Sequence, residues 1–437
     1  MGLMMSLMKE TYYSQVEDLT VRYADIPYEA ILKQDILRVG IRFSKDSLRV
    51  ASGYKPKDYF IFSFDLVTME ELEQQDRHLL NAPEEVMLFG GEKDLKPTII
   101  NVRLNPSSPY QVIVNEGKLV LMADDRNLCE VRFHPIPSYY SSALKSGKKI
   151  SEIAPVIEWG YLIYLTVYRL CQYWGKDEEC QFCDINENYR QQKKAGREYT
   201  GVKDFGDILE ALEHIYDMDS QSKAITVTGG SITGQLSGQK EVEFYLNYGR
   251  EIKKRFKNRW LLKAGVEAFD LPELKELKEK GGYDIYHPNF EVWDPEIFKK
   301  ICPGKERFIG RDLWINRILG ASEVFGPESV IPNFVAGVEM SSPFGFKTID
   351  EAMSSNREAF EFFMSKGIVP RFTTWCIEPL AHLKNQKQPR LEYYVALLRL
   401  WRDIFEKYQL PVPPGYGAPG VGKAVFSVSA FMDVIRE

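Results

Sequence analysis

Three cysteines, Cys171, Cys180 and Cys183, lie within thirteen residues of the 437-residue chain. Thiolate sulfur is a soft ligand that binds zinc, copper(I) or iron-sulfur clusters, and three thiolates on one short segment can surround a single metal centre. No fourth cysteine lies nearby in the sequence. The last coordination position must therefore be filled from elsewhere in the chain or stay open for a small molecule, as it does in catalytic metal sites.

The cysteine segment follows an apolar stretch and precedes a helical pattern. From about residue 158 onward, apolar strands alternate with helices, which predicts βαβ units and a parallel sheet. The predicted strands are 161–167, 224–228, 260–266, 283–286, 330–336 and 369–373. The predicted helices between and after them are 205–216, 241–256, 272–280, 313–324, 349–365 and 391–405. The cysteines therefore belong at the carboxyl end of the first strand, where parallel α/β barrels assemble their active sites.

Residues 1–150 show a different pattern and predict a separate α+β domain. Helical spacing covers 28–36 and 69–79, and short strands are predicted at 98–104, 111–114, 119–122 and 130–133. Asn115-Glu116-Gly117 between two of them is typical of a hairpin turn. We predict a second domain over 151–410, and a closing segment, either a lid or a last strand, over 411–437.

The cysteine segment resembles that of the radical SAM superfamily. Cys180-Gln181-Phe182-Cys183 matches the second half of the family pattern C-x3-C-x2-C, whereas eight residues instead of three separate Cys171 from Cys180. The resemblance implies a partial (β/α)6 parallel barrel and a 4Fe-4S cluster on the three cysteines. It also implies S-adenosylmethionine (SAM) bound through its amino and carboxylate groups to the open iron, with the Phe182 backbone beside the adenine.

The same resemblance implies further SAM contacts at the ends of later strands. Gly229 and Gly230 end the second strand, where the lack of a Cβ lets the backbone approach a ligand closely. With Ser231 they stand where the family carries a Gly-Gly-Glu motif that binds the methionine amino group. Glu267 is the first choice for the ribose hydroxyls, since a carboxylate accepts two hydrogen bonds.

Two other strand ends are implied as parts of the cofactor site. Glu291 is the alternative to Glu267 for the ribose, or else a substrate contact. Asn333 to Glu339 resembles the family's G-x-I-x-G-x-x-E region with Asn333 at the first glycine, and the backbone at Gly337 would meet the adenine.

Three residues are candidates for acting on the substrate. His287 is predicted at a strand end, where it can donate or accept protons. Cys376 follows the sixth strand and can face the mouth of the barrel. Cys302 lies in a predicted loop beside Lys305, which would lower the pKa of the thiol if the loop is exposed. Packing in the core is the alternative interpretation for each of them.

The resemblance implies a radical enzyme that cleaves SAM reductively to a 5'-deoxyadenosyl radical, which abstracts hydrogen from an organic substrate. The outcome would be a biosynthetic rearrangement, bond formation or group transfer, with an electron donor such as flavodoxin or ferredoxin. Two alternatives remain. One is a structural zinc site completed by His214 or Asp184, and the other is an ordinary barrel enzyme with incidental cysteines.

Composition excludes several other classes. The net charge is −6 and basic residues are spread along the chain, so a nucleic-acid partner is not expected. No apolar run reaches the roughly 18 residues that cross a bilayer, and no signal-peptide pattern precedes the first helix. Six cysteines, half of them clustered, favour metal binding in a reducing compartment over a disulfide scaffold. The sequence therefore predicts a cytoplasmic protein that contacts no membrane.

Overall fold

The structure is a computed structural model that describes residues 12–51, 53–197 and 199–436. Its N-terminal region contains four helices, two 3-10 turns and six strands. The helices are α1 (Ser14–Arg22), α2 (Tyr28–Val39), α3 (Lys45–Val50) and α4 (Met69–Gln75), and the 3-10 turns are Arg77–Asn81 and Ser138–Ser141. The strands are β1 (Arg42–Phe43), β2 (Glu85–Gly90), β3 (Leu95–Asn101), β4 (Gln111–Asn115), β5 (Lys118–Ala123) and β6 (Arg126–Phe133).

These six strands form one sheet in the order β1-β4-β5-β6-β2-β3. All neighbours are antiparallel except β1 and β4. The predicted hairpin joins β4 to β5, and its turn residues Glu116 and Gly117 have φ values of 49° and 78°. The strand predicted at 98–104 is β3, which lies three residues earlier, at Leu95–Asn101. Strand β2 was not predicted.

The rest of the chain alternates strands with helices. Its strands are β7 (Val156–Ile157), β8 (Leu162–Tyr168), β9 (Ala224–Gly229), β10 (Leu261–Val266), β11 (Ile285–Pro288), β12 (Asn333–Ala336) and β13 (Arg371–Thr374). Its helices are α5 (Ile150–Ile153), α6 (Ile185–Lys194), α7 (Phe205–Met218), α8 (Glu241–Phe256), α9 (Leu271–Glu279), α10 (Pro295–Ile301), α11 (Pro303–Phe308), α12 (Arg311–Phe325), α13 (Ile349–Met364) and α14 (Leu391–Lys407). Short 3-10 turns cover Pro327–Ser329 and Val338–Met340.

Strands β8 to β13 are parallel and follow one another in chain order. Strands β11-β10-β9-β8-β7 form one sheet in which only the edge strand β7 is antiparallel, and β12 pairs with β13. Single bridges from Tyr286 to Val330 and from Glu291 to Phe334 connect the two sheets. The architecture is mixed α/β, and the parallel strands bring their carboxyl ends to one side.

After α14 the described residues form neither helix nor strand, but several of them are buried. The Ser427 carbonyl accepts from the Asn101 amide (3.0 Å), and the Val428 carbonyl accepts from the Thr374 amide (3.1 Å). This segment therefore lies between β3 and β13 as an irregular closing segment. The predicted domain limits at 150 and 410 stay predictions, and residues 1–11 lie outside the described part. Among the described helices, none combines the length and hydropathy needed to cross a lipid bilayer.

Candidate functional site

The three clustered cysteines face one cavity of about 120 Å³ behind the carboxyl end of β8. All three are free thiols. Burial raises the pKa of the Cys171 thiol to about 12 and raises that of Cys183 well above its ordinary value. A metal centre must displace the protons of these thiols when it binds, because thiolate is the ligand form.

The donor set of this cysteine cavity suits an iron-sulfur cluster. Among the described residues, no group of three or more His, Cys, Asp or Glu side chains is arranged to hold a single metal ion. A four-iron cube is larger than one ion, and a cavity shared by three thiols offers space of that kind. The cysteines therefore fit the cluster that the sequence predicted, and no observation on the described residues favours zinc.

An amide side chain fixes the first cysteine. Asn186 on α6 accepts from the Cys171 amide (2.9 Å) and donates to the Glu179 carboxylate (2.8 Å). The second carboxylate oxygen of Glu179 bonds with His382 Nε2 (2.7 Å). These bonds join the start of the cysteine loop, its end and the segment after β13, so the position of Cys171 relative to Cys180 is defined.

The long interval between the first two cysteines docks on α11. The Tyr173 ring stacks on Phe308 with centroids 5.5 Å apart. The Gly304 amide donates to the Glu178 carbonyl (3.0 Å), and a Cβ on Gly304 would lie only 2.4 Å from that oxygen. The five residues beyond the usual family spacing are thus held by a helix that appears more than a hundred residues later.

Gly229 and Gly230 pack against the cysteine loop. A Cβ on Gly230 would lie 2.0 Å from the Leu170 carbonyl and 2.5 Å from Cys171 Cα. The Ser231 carbonyl accepts from the amide that follows Cys171 (2.8 Å). The end of β9 and the start of the cysteine loop therefore lie side by side, and the glycines are required for that approach.

Glu267 lies at the same edge, after β10. It accepts a short hydrogen bond from the Tyr173 hydroxyl in the cysteine loop. Glu241, at the start of α8, accepts from the Glu267 amide (3.2 Å) and from the Ile232 amide (2.6 Å). Burial raises the pKa of Glu241 well above its ordinary value. This carboxyl group joins the ends of β9 and β10, and sequence reasoning missed it.

A second cavity, of about 170 Å³, lies inside the parallel strands. Side chains from each of β8 to β13 line this interior cavity, together with residues from the N-terminal region and from the closing segment. Cys183 lines both cavities. The cysteine cavity and the interior cavity are therefore adjacent, with Cys183 at their boundary.

Aromatic residues of the N-terminal region cover part of the interior cavity. Phe60, Phe62 and Phe64 project from one loop into its wall. This aromatic loop is fixed at the carboxyl ends of the strands, since the Ser63 amide donates to Asp184 (3.3 Å) and the Phe64 amide donates to Glu378 (3.0 Å). Sequence reasoning missed the loop.

Charged side chains line another part of the interior cavity. Lys263 Nζ donates to the Gly415 carbonyl (2.9 Å) and lies 4.0 Å from the centroid of the Tyr416 ring. The Arg371 guanidinium carbon lies 5.5 Å from the same centroid. Burial raises the pKa of Glu158 to about 7 and lowers that of Lys263 to about 7. The sequence contained one signal for this group of charged side chains, namely Lys263 inside the otherwise apolar strand β10.

Of the residues predicted to act on the substrate, His287 and Cys376 line the interior cavity. His287 Nδ1 donates to the Ile331 carbonyl (2.8 Å), and its Nε2 accepts from the Tyr416 hydroxyl (2.9 Å). Burial holds the pKa of His287 well below its ordinary value, so the ring is neutral. Burial raises the pKa of Cys376.

Cys302 lies elsewhere. It is buried at the end of α10 beside Cys180, and it lines neither cavity. The sequence predicted an exposed loop in which Lys305 would lower the pKa of Cys302. The structure instead buries Cys302 between α10 and α11. Burial instead raises that pKa well above its ordinary value.

The predicted cofactor residues divide into three sets. Phe182 and Glu291 line the interior cavity, and Glu291 forms a buried ion pair with Lys305 (2.7 Å). Gly229, Gly230, Ser231 and Glu267 surround the cysteine loop. Gly337 has a φ of 104° and donates its amide to the Glu339 carboxylate (2.8 Å), and it lines neither cavity.

Comparisons with known proteins give a local match. A bacteriochlorophyllide c C-7(1)-hydroxylase from Chlorobaculum limnaeum is 26% identical over 140 residues, which are 32% of this chain and 32% of that protein. The chain thus matches about a third of the length of this curated relative. No protein-family profile matches the chain.

Two solved structures show only distant similarity. The FeFe-hydrogenase maturase HydG from Carboxydothermus hydrogenoformans has a TM-score of 0.38 at 15% identity, over 59% of this chain and 54% of that one. A radical SAM methyltransferase from Sphaerobacter thermophilus has a TM-score of 0.36 at 12% identity, over 70% of this chain and 76% of that one. These scores are too low to support a conclusion about the fold.

Beside this local match, the chain has three free cysteines that face one cavity at a strand end.

Proposed function

We propose that the protein is a radical SAM enzyme: a 4Fe-4S cluster on Cys171, Cys180 and Cys183 reductively cleaves SAM to a 5'-deoxyadenosyl radical, which abstracts hydrogen from an organic substrate. The observation that carries this proposal is that Cys183 lines both the cysteine cavity and the interior cavity. A reactive group generated at the cysteines would border the enclosed space that holds the substrate.

The proposed scaffold is a partial (β/α)6 barrel. Its support is the chain order of the six parallel strands and the way in which alternate residues of one strand line the interior cavity, as Thr226 and Thr228 do on β9. Alternate side chains of a strand point to the same face. Six strands that turn one face toward a common space are what a barrel interior requires.

The protein's own side chains would bind the cofactor and exclude water. We propose that Gly229, Gly230 and Ser231 contact the methionine end of SAM, and that Glu267 contacts the ribose, with Glu291 as the alternative. Phe182 and Gly337 would approach the adenine. The aromatic loop and the closing segment would keep water from the interior cavity, which protects a radical from side reactions.

The substrate is proposed to be a small organic molecule in the interior cavity. His287, whose ring is held by Ile331 and Tyr416, and Cys376 would both contact it, since they line the same space. The name of the curated relative indicates hydroxylation of a pigment, and we propose the broader class of biosynthetic rearrangement, bond formation or group transfer. A one-electron donor such as flavodoxin or ferredoxin would serve it in the cytoplasm. Cys302 remains a proposed participant in the reaction on the substrate, and it would act from its position beside Cys180.

Anaerobic reconstitution tests the proposal. The protein is supplied with iron and sulfide, and we expect a brown protein with broad absorbance near about 400 nm. Addition of SAM and dithionite should release 5'-deoxyadenosine, measured by chromatography. A colourless protein that binds one tight zinc ion would contradict the proposal.

A pair of cysteine variants gives the matched control. Cys180→Ala should abolish 5'-deoxyadenosine formation and lower the iron content, because it removes a ligand. Cys129→Ala changes a buried cysteine of β6 far along the chain and should retain both. Cleavage that survives in Cys180→Ala would overturn the ligand assignment.

A further inference from the structure

We infer that the interior cavity binds an organic anion, whose carboxylate lies between Lys263 and Arg371. The inference rests on the proposed function, because it names the substrate class of the same cavity. Four observations support it: the position of the two cations, their lack of direct acidic partners, an unpaired donor on Arg371, and the apolar remainder of the wall.

The two cations lie away from the cysteine loop. Arg371 is the first residue of β13 and Lys263 is the third residue of β10, whereas Cys171 follows the last residues of β8. Because the strands are parallel, their amino ends lie together, opposite the edge that carries the cysteines. A substrate held at these cations would extend its body toward Cys183.

Neither cation is neutralised by direct contact with an acid. In the part of the chain that the structure describes, no ion pair within 4.0 Å joins a carboxylate to Lys263 or to Arg371. Glu158 also lines the cavity and is the acid whose charge acts on Lys263. The other two acids that line the cavity are bound elsewhere, Glu291 by Lys305 and Glu378 by the Phe64 amide. The Arg371 guanidinium therefore has no carboxylate of its own, and a bound carboxylate would supply one.

The guanidinium of Arg371 has a donor without a partner. Arg371 Nε is a buried donor with no hydrogen-bond partner in the described chain. Arg371 stands opposite Asn333 in the β12–β13 register. An unpaired buried donor costs about 1–3 kcal/mol, so a ligand that supplies an acceptor would be stabilised here. A guanidinium has the planar donor geometry that fits a carboxylate.

The remainder of the cavity favours an apolar body. Phe60, Phe62, Phe64, Phe182 and Phe426 line it. Aromatic side chains contribute large apolar contact areas and stack on flat ligands. The ligand class is therefore an apolar, preferably flat, molecule with one carboxylate at its end.

Calorimetric titration of the full-length reconstituted protein tests the inference with 2-naphthoate and its uncharged counterpart 2-naphthamide. We expect the acid to bind at least about tenfold more tightly than the amide, since a charged hydrogen-bonded pair is added. Arg371→Gln should reduce that preference to about threefold or less. Equal affinities in the parent protein, or an unchanged preference in Arg371→Gln, would overturn the inference.

Controls keep the outcome interpretable. Arg399→Gln makes the same chemical change at an exposed ion pair with Asp25 and should leave the preference intact. If circular dichroism shows that Arg371→Gln is unfolded, Lys263→Gln takes its place, and retention of the full preference there counts against the inference. Binding does not require SAM cleavage. Failure of cleavage alone therefore refutes the proposed function, while loss of the acid preference alone refutes the anion site.

Discussion

The two cavities are assembled in different ways. Residues between 171 and 187, with two from the segment after β13, line the cysteine cavity. The interior cavity draws its wall from residue 60 to residue 428 and from every parallel strand. The cysteine cavity is thus mainly a product of local sequence, and the interior cavity is a product of the complete fold. This difference predicts that single substitutions will affect the two cavities unequally.

The largest effect is expected at the wall between the cavities. Lys305 pairs with Glu291, which lines the interior cavity, in a pair that is almost fully buried. Lys305→Met leaves a buried carboxylate unpaired and should lower the free energy of unfolding by about 3 kcal/mol or more, measured by urea titration.

Arg307→Met on the same helix is the comparison. Arg307 pairs with Glu178 but its side chain is 67% exposed, so its loss should cost about 1 kcal/mol or less. Similar costs for the two variants would mean that the Lys305 pair is not effectively buried.

Gly230→Ala should damage the cysteine cavity selectively. The added methyl group would meet the Leu170 carbonyl and Cys171 Cα, and overpacking of this kind costs about 1–3 kcal/mol. Iron bound per chain should fall, while binding of 2-naphthoate is retained. Gly234→Ala meets only a Gln172 oxygen at 3.9 Å and should bind iron normally. Normal iron content in Gly230→Ala would contradict the close approach of the two segments.

The interior cavity should show its own pH dependence. Burial raises the pKa of Glu158 from 4.5 to about 7, so the folded protein holds this proton more tightly than the unfolded chain does. Stability is therefore lost as pH rises through this range. Relative to the parent, Glu158→Gln should gain about 2 kcal/mol of unfolding free energy between about pH 5 and about pH 8. Parallel pH profiles of the two proteins would show that Glu158 is ionised with an ordinary pKa.

The smallest effect is expected at Cys302. Because it lines neither cavity, Cys302→Ala should cost about 1 kcal/mol of stability and leave the iron content unchanged. Iron analysis of this variant beside Cys180→Ala makes the comparison. An iron loss equal to that of Cys180→Ala would add Cys302 to the ligands.

The chain-local parts of the molecule were predictable from sequence. The six parallel strands and the helices between them carry clear periodicity, and α8 was predicted with its observed limits, Glu241–Phe256. The clustering of Cys171, Cys180 and Cys183 was visible in the sequence, and the three side chains face one cavity. Strand β2 was missed because its pairing partners, β3 and β6, supply the contacts that make it a strand.

The wall of the interior cavity was not predictable in the same way. Arg371 and Glu158 are distant in sequence, and only the folded chain brings them to one space. Lys263 within an apolar strand is equally compatible with an exposed edge, and Phe60 has no periodic neighbours. Gly229 and Gly230 were correctly placed at a strand end, but their observed close contact is with the cysteine loop.

The aromatic loop has a consequence for how this protein is made. Phe60, Phe62 and Phe64 leave the ribosome before any strand of the interior cavity has been translated, so they emerge with no surface to cover. Exposed aromatic segments of that kind promote aggregation and attract chaperones during synthesis. The aromatic loop can therefore reach its final position only when the later half arrives, and heterologous expression should benefit from slower translation at low temperature.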